Sequence, residues 1–238
     1  SILWWSVDSA AQFGNPRFSP DGEHLAFDHC RPNCQFVVHS LKTGKSIYFD
    51  SPKGERWINP AFASKGNELA FVVIRDPSET QIATIRLDGS NLLRLTSSPV
   101  IKRSPSFSPD GRQIVFAGKS KTVTERGSFS SSDLYVVDLG TRVERRVTDL
   151  RVLDIGSPFF LPDREKIVFH TVGSALPRRN LQRIPLNSMF PDRTVFVQTP
   201  NETAELEPSL QVPLVASSPT PIATGEIALL VRVNDLDG

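Results

Sequence analysis

Among the 238 residues there is one methionine, there are two cysteines and two tyrosines, and no apolar run approaches the roughly 20 residues that span a bilayer. A membrane-spanning helix is therefore not expected. Neither sign of charge is in excess, since 27 Lys and Arg face 26 Asp and Glu, so bulk electrostatics point to neither nucleic acid nor an anionic membrane surface. A Gly-x-Ser-x-Gly nucleophile elbow is missing, and the four histidines (His24, His29, His39, His170) have no consistent Ser or Asp partner, so hydrolytic chemistry finds little support. Long stretches at helical periodicity are few, whereas 19 prolines and 14 glycines suit short strands joined by turns. Almost no helix is expected. Ser1-Ile2-Leu3-Trp4-Trp5 lacks the charged leader and apolar length of a signal peptide. The chain begins without Met and stops abruptly at Asn234-Asp235-Leu236-Asp237-Gly238, which suggests a processed form or an excerpt of a longer soluble protein.

What the chain does have is a phrase that returns. Asn15-Pro16-Arg17-Phe18-Ser19-Pro20-Asp21-Gly22 runs on to Phe27, and Asn59-Pro60-Ala61-Phe62-Ala63-Ser64-Lys65-Gly66 to Phe71. Ser104-Pro105-Ser106-Phe107-Ser108-Pro109-Asp110-Gly111 leads to Phe116, and Ser157-Pro158-Phe159-Phe160-Leu161-Pro162-Asp163-Arg164 to Phe169. The opening prolines lie 44, 45 and 53 residues apart, with a fainter fifth copy at Glu207-Pro208-Ser209-Leu210. A period in this range marks stacked or radial supersecondary units.

Each unit parses into four strands, a to d. The first has Pro16 to Ser19, His24 to Asp28, Gln35 to His39 and Ser46 to Phe49. The fourth has Pro158 to Leu161, Lys166 to Thr171, Asn180 to Leu186 and Thr194 to Gln198. Between strands a and b, Pro fixes φ, Asp hydrogen-bonds its own downstream backbone and Gly supplies positive φ. Asp21, Gly22, Asp110, Gly111 and Asp163 are therefore turn residues rather than catalytic carboxylates. Phe18, Phe62, Phe107 and Phe160 in strand a, like the phenylalanines closing strand b, are expected to pack between neighbouring units.

These residues resemble the TolB-type β-propeller repeat, a WD-repeat-like family marked by a Pro-x-Phe-Ser-Pro-Asp-Gly strand and turn followed by an apolar strand ending in Phe. The likeness spans roughly Asn15 to Gln198. It implies an all-β fold, a β-propeller of four-stranded antiparallel blades, that mostly binds other proteins in the bacterial periplasm or outside the cell. The family has no common catalytic residues, so the resemblance implies no enzyme and no cofactor. The expected division is residues 15–50, 51–97, 98–150 and 151–200 for four blades and 201–238 for a degenerate fifth, about five in all. Residues 1–14, with Ile2 to Val7 as a strand d, complete the last blade and close the ring, since closure removes exposed edges. The rival is a tail from Pro219 to Gly238 that opens an immunoglobulin-like domain.

Cys30 and Cys34 flank the first b-to-c hairpin at positions where a disulfide is geometrically accessible, which implies an oxidising compartment, periplasmic or secreted. Zinc is disfavoured, because only His29 and His39 lie nearby. The b-to-c and d-to-a loops share one face of a propeller. That face carries Arg31, Arg75, Lys119, Lys121, Arg126, Arg178 and Arg179, which suits an acidic peptide or anionic glycan; ordinary solvated loop charge is the alternative. Lys119 to Ser132 is the longest of these loops, a binding loop or an insertion. Trp57 is the candidate aromatic anchor, with core burial as the alternative. The functional expectation is a non-catalytic protein- or glycan-binding module. The alternatives are the propeller part of a larger hydrolase or polysaccharide lyase and an architectural role in a cell-surface assembly. Asn201-Glu202-Thr203 matches a glycosylation acceptor, idle in a bacterium.

Overall fold

The computed structural model describes residues 12–30, 34–124, 127–150, 152–161, 166–172, 193–198, 203–205, 215–221 and 227–232. All of their regular structure is strand, and among them no helix is long and apolar enough to cross a membrane. The first sheet is β1 (Gln12–Phe18), β2 (His24–Cys30), β3 (Cys34–Ser40) and β4 (Ser46–Phe49); the second is β5 (Arg56–Phe62), β6 (Glu68–Asp76), β7 (Glu79–Arg86) and β8 (Leu93–Arg94). The third is β9 (Ile101–Phe107), β10 (Gln113–Thr124), β11 (Gly127–Asp138) and β12 (Glu144–Arg146). The fourth is β13 (Asp154–Phe160), β14 (Ile167–Val172), β15 (Arg193–Gln198) and β16 (Thr203–Glu205), and β17 (Val215–Pro221) pairs with β18 (Ile227–Arg232). All pairs are antiparallel meanders. Strands β1, β5, β9, β13 and β17 neighbour one another in succession, so the first strands gather at the inside and the sheets fan out from them.

The turns follow their chemistry. At Ser19 to His24 the Ser19 hydroxyl donates to Asp21 (2.5 Å), the same carboxylate accepts Glu23 N–H (2.9 Å), and Gly22 stands at φ 71°. Ser108, Asp110, Gly111 and Arg112 repeat the arrangement, with Ser108 Oγ to Asp110 at 2.6 Å and Gly111 at φ 70°.

The inner strands begin about four residues earlier than their prolines suggest, because each contains a bulge. Asn15, Asn59, Ser104 and Ser157, all immediately before the proline, have φ between 46° and 56°. Each sits where the register with the next strand shifts. A bulge removes the ladder bond that proline lacks, which is how Pro16, Pro60, Pro105 and Pro158 are tolerated inside strands.

The same bulge recurs in the fifth sheet. In β17 the register shifts between Ser217 and Thr220, around Ser218-Pro219, while Glu207-Pro208 lies outside the described residues. Thr203–Glu205, assigned from sequence to the fifth unit, pairs with β15 and belongs to the fourth sheet. Likewise Thr194 to Gln198, expected as strand d, pairs directly with β14 in the place of strand c. The amino-terminal strand Ile2 to Val7, Arg31, Arg126, Asp163, Arg178, Arg179, Asn201 and the expected strand Asn180 to Leu186 lie outside the described residues.

Three layers of apolar side chains hold the sheets together. Ala26, Phe36, Val38 and Phe49 meet Trp57, Leu69, Phe71 and Val73; Ala70, Val72 and Ile82 meet Phe107, Ile114 and Phe116; Val115, Ala117, Leu134 and Val136 meet Ile155, Phe160 and Phe169. Alternation within each strand sends successive residues to opposite layers, so every interior sheet is apolar on both faces. Phe62, Phe107 and Phe160 pack against the preceding sheet, as expected. Phe18 departs from this: it is 57% exposed, with no described sheet before the first. Trp57 is also a correction. It is 4% exposed, its ring lies 4.8 Å from Phe71 and 6.2 Å from Phe36, and so it is core and not an exposed anchor.

Thr84 is fully buried and its hydroxyl has no hydrogen-bond partner. Its isosteric replacement Thr84→Val removes a desolvated polar group, and the variant should gain about 1 kcal/mol. A rise in the urea midpoint at unchanged slope is the expected reading; an unchanged or lower midpoint contradicts it.

Candidate functional site

Because strand b runs from the Asp-Gly turn to the b-to-c hairpin, the two lie at opposite ends of every sheet. The repeating residues are consumed at the turn end and between sheets. The other end is built from residues that do not repeat.

There the connection from β4 to β5 places Glu55 at a hub. Its carboxylate accepts Trp57 Nε1 (2.9 Å), Arg75 Nε (3.1 Å) and both contacts of Arg94 Nη2 (2.7 and 2.9 Å). Burial opposes the charge on Glu55, but the hydrogen bonds from Arg94, Trp57 and Arg75 outweigh it and hold the carboxyl below the usual glutamate range. Arg75 is held as a cation mainly by its hydrogen bond to Glu55, and Glu79 lies 3.5 Å away. Arg75 is thus a strut of the second sheet's rim more than a free binding charge.

The next connection is clamped by Lys102, which is 0% exposed. Its Nζ donates to the carbonyls of Ser98 (2.6 Å), Val100 (3.0 Å) and Thr80 (3.2 Å). Burial lowers its pKa, with Glu144 partly opposing. Glu144 in turn accepts Ser97 N–H (2.7 Å), Ser98 N–H (3.0 Å) and Ser98 Oγ (2.5 Å). In the third sheet Asp133, also buried, accepts Arg146 Nη2 (2.6 Å), Leu150 N–H (2.7 Å) and Thr148 Oγ1 (3.0 Å). None of these was legible from the repeat. The available signal was Leu95-Thr96 matching Val147-Thr148, whose hydroxyls accept Ile82 N–H and Leu134 N–H at 2.8 and 2.9 Å and seal the outer strand to its neighbour.

Nearer the inside, Asp28 joins the first two sheets. It accepts Asn15 Nδ2 (2.6 Å) and Asn59 N–H (2.7 Å), and Asn59 Oδ1 takes Ser104 N–H (3.4 Å), so the bulges are linked from sheet to sheet. Burial raises the Asp28 pKa to about 6 against these hydrogen bonds and Arg17. Arg103 and Asp154 bridge β9 and β13 at 3.2 Å.

The basic set is therefore divided. Arg75 is paired, whereas Lys119 and Lys121 are in no ion pair among the described residues. The segment expected as a loop from Lys119 to Ser132 is also corrected: β10 and β11 pair without interruption from Gln113↔Asp138 to Thr124↔Gly127. Alternation of Ser and Thr with other residues sustains the ladder as far as Thr124↔Gly127. Cys30 and Cys34 form a disulfide that closes the first hairpin. Among the described residues no cluster of three or more His, Cys, Asp or Glu is placed to hold a metal.

Four-stranded meanders fanning from a line of bulged inner strands, with connections gathered at one rim, define a β-propeller repeat domain. The profile of the TolB beta propeller domain matches residues 6–124, half of the chain, and the chain belongs to that family. It is 37% identical over 103 residues to the Tol-Pal system protein TolB of Bordetella pertussis, covering 43% of this chain and 23% of that protein. It is 25% identical over 122 residues to the uncharacterized peptidase YuxL of Bacillus subtilis, covering 47% of this chain and 18% of that one. The crystal structure of TolB from Acinetobacter baumannii superimposes with a TM-score of 0.62 at 20% identity, over 90% of this chain and 47% of that one. The chain spans about a fifth of the length of the curated relatives it matches.

Proposed function

We propose that this propeller is a non-catalytic binding module that recognises a protein partner outside the cytoplasm through the rim of d-to-a connections and b-to-c hairpins. One observation carries the reading. The repeating residues are spent on turns, bulges and inter-sheet packing, and the residues that vary collect at one rim, which Glu55, Lys102, Glu144 and Asp133 hold rigid. Rigid presentation lowers the ordering cost of association. The Cys30–Cys34 disulfide supports an oxidising compartment, periplasmic or extracellular.

The test is cross-linking capture of a partner from an extracytoplasmic extract, followed by titration of the recovered protein. The double reversal Arg31→Glu with Arg178→Glu should weaken that complex at least tenfold; unchanged affinity, or no specific capture, goes against the reading. A second reading, the propeller part of a larger hydrolase, rests on the likeness to YuxL. An α/β-hydrolase domain encoded in the same gene decides for it.

A further inference from the structure

The twelve-residue strands β10 and β11 outrun their sheet. The partner strand β9 stops at Ile101↔Lys119, and on the other side β12 pairs only with Tyr135 to Val137 while Ser132 N–H reaches Val152 C=O at 2.7 Å. Beyond these the register continues from Ser120↔Ser131 to Thr124↔Gly127 as a two-stranded ribbon. At about 3.4 Å per residue it extends some 17 Å past its sheet. Both of its edges are without a described neighbour.

Alternation of the antiparallel ladder says which groups face out. Ser132 and Leu134 direct their N–H groups away from β10, to Val152 C=O and Thr148 Oγ1. Their partners Lys119 and Ala117 face β9 in the same way. Two and four residues on, Lys121 and Val123 therefore turn their N–H and C=O outward along the β10 edge, and Ser130 and Ser128 along the β11 edge.

We propose that the β10 edge at Lys121 and Val123 is a docking strand, which receives an extended acidic segment of a partner protein as a third strand. This deepens the binding reading and rests on it. Main-chain hydrogen bonds supply the affinity of such strand addition, and flanking side chains its selectivity. Here the selectivity is electrostatic. Between Lys119 and Ser132 there are three basic residues, Lys119, Lys121 and Arg126, and one acid, Glu125. Lys119 and Lys121, two apart, share a face and have no ion-pair partner among the described residues. Lysine on an open edge also opposes pairing with a second copy of the same ribbon, which brings like charges together. An acidic strand meets the opposite condition.

The probe is an N-acetylated, C-amidated eight-residue peptide of alternating threonine and glutamate, with its threonine–lysine counterpart as control. Titration should show the acidic peptide binding at least tenfold tighter than the basic one, and amide exchange should slow at Lys121 and Val123. Proline at an outward-facing edge position removes a donor that the hairpin does not use. Val123→Pro should weaken the peptide at least tenfold, Lys121→Gln two- to threefold, and Ser130→Pro on the opposite edge less than twofold. Circular dichroism checks that each variant folds, and the exchange pattern of the unaltered protein needs no variant. Absence of binding, equal binding to both peptides, or protection at Ser128 and Ser130 in place of Lys121 and Val123 overturns the proposal. If partner capture persists through any of these, only the ribbon assignment fails; loss of capture itself removes the binding reading.

Discussion

Phe36→Ala is expected to destabilise the protein by about 3–5 kcal/mol, the range for truncating a buried aromatic side chain. Phe36 is fully buried where the first two sheets meet, stacked on Phe49 at 4.7 Å and tilted against Phe71 at 5.1 Å, with Trp57 beyond. Three aromatic neighbours leave the cavity little freedom to collapse. Stability in a repeat array is approximately a sum of unit terms and nearest-neighbour interfaces. The loss should therefore appear first as faster amide exchange in β2, β3, β5 and β6, with β10, β11 and β14 protected to a higher denaturant concentration. Uniform loosening of all sheets contradicts this account. Phe36→Leu keeps most of the volume and should cost much less.

The second large effect depends on pH. Asp28 has its pKa raised from 3.8 to about 6, chiefly by burial, against hydrogen bonds from Asn15 and Asn59 N–H and the charge of Arg17. The folded protein thus retains a proton that the unfolded chain has already released. Its contribution favours folding at low pH and is lost as pH rises from about 4 through 6, by up to ~3 kcal/mol in the full interval. Asp28→Asn keeps an oxygen to accept Asn59 N–H and removes the titration. At pH 7.5 the variant should be more stable than the parent by about 1–3 kcal/mol, and near pH 4 the two should converge. Urea midpoints of both proteins at four pH values across this window make the comparison, and histidines common to both cancel in the difference. A constant difference across the window would rule out Asp28 as the titrating group.

How much of this was visible in the chain depends on whether a feature is local. Asp-Gly turns, the period near 45 residues and the apolar strands ending in Phe27, Phe71, Phe116 and Phe169 are local, and they lead to a propeller without any coordinates. Cys30 and Cys34 are close enough in sequence for the hairpin to bring them together. The fifth repeat shows the boundary of such reasoning. Glu207-Pro208 resembles the phrase no less than Ser218-Pro219 does, and it takes the register shift between Ser217 and Thr220 to mark the second as an inner-strand bulge. The rim shows it again, since Trp57 reads equally as anchor or core until the sheet on its other side is known.

The sequence by itself determined the all-β repeat, its family and the separation of repeating scaffold from varying rim, because each turn and strand depends on residues within a few positions of one another. Tertiary structure alone decided which charges remain available. Glu55 neutralises Arg94, 39 residues away, and engages Arg75, 20 residues away; Lys102 vanishes beneath three carbonyls; and Lys119 and Lys121 are left on a ribbon that outgrows its sheet. Pairing of that kind follows from the stacking of one sheet on the next and from how far each strand extends, which no short stretch of sequence encodes.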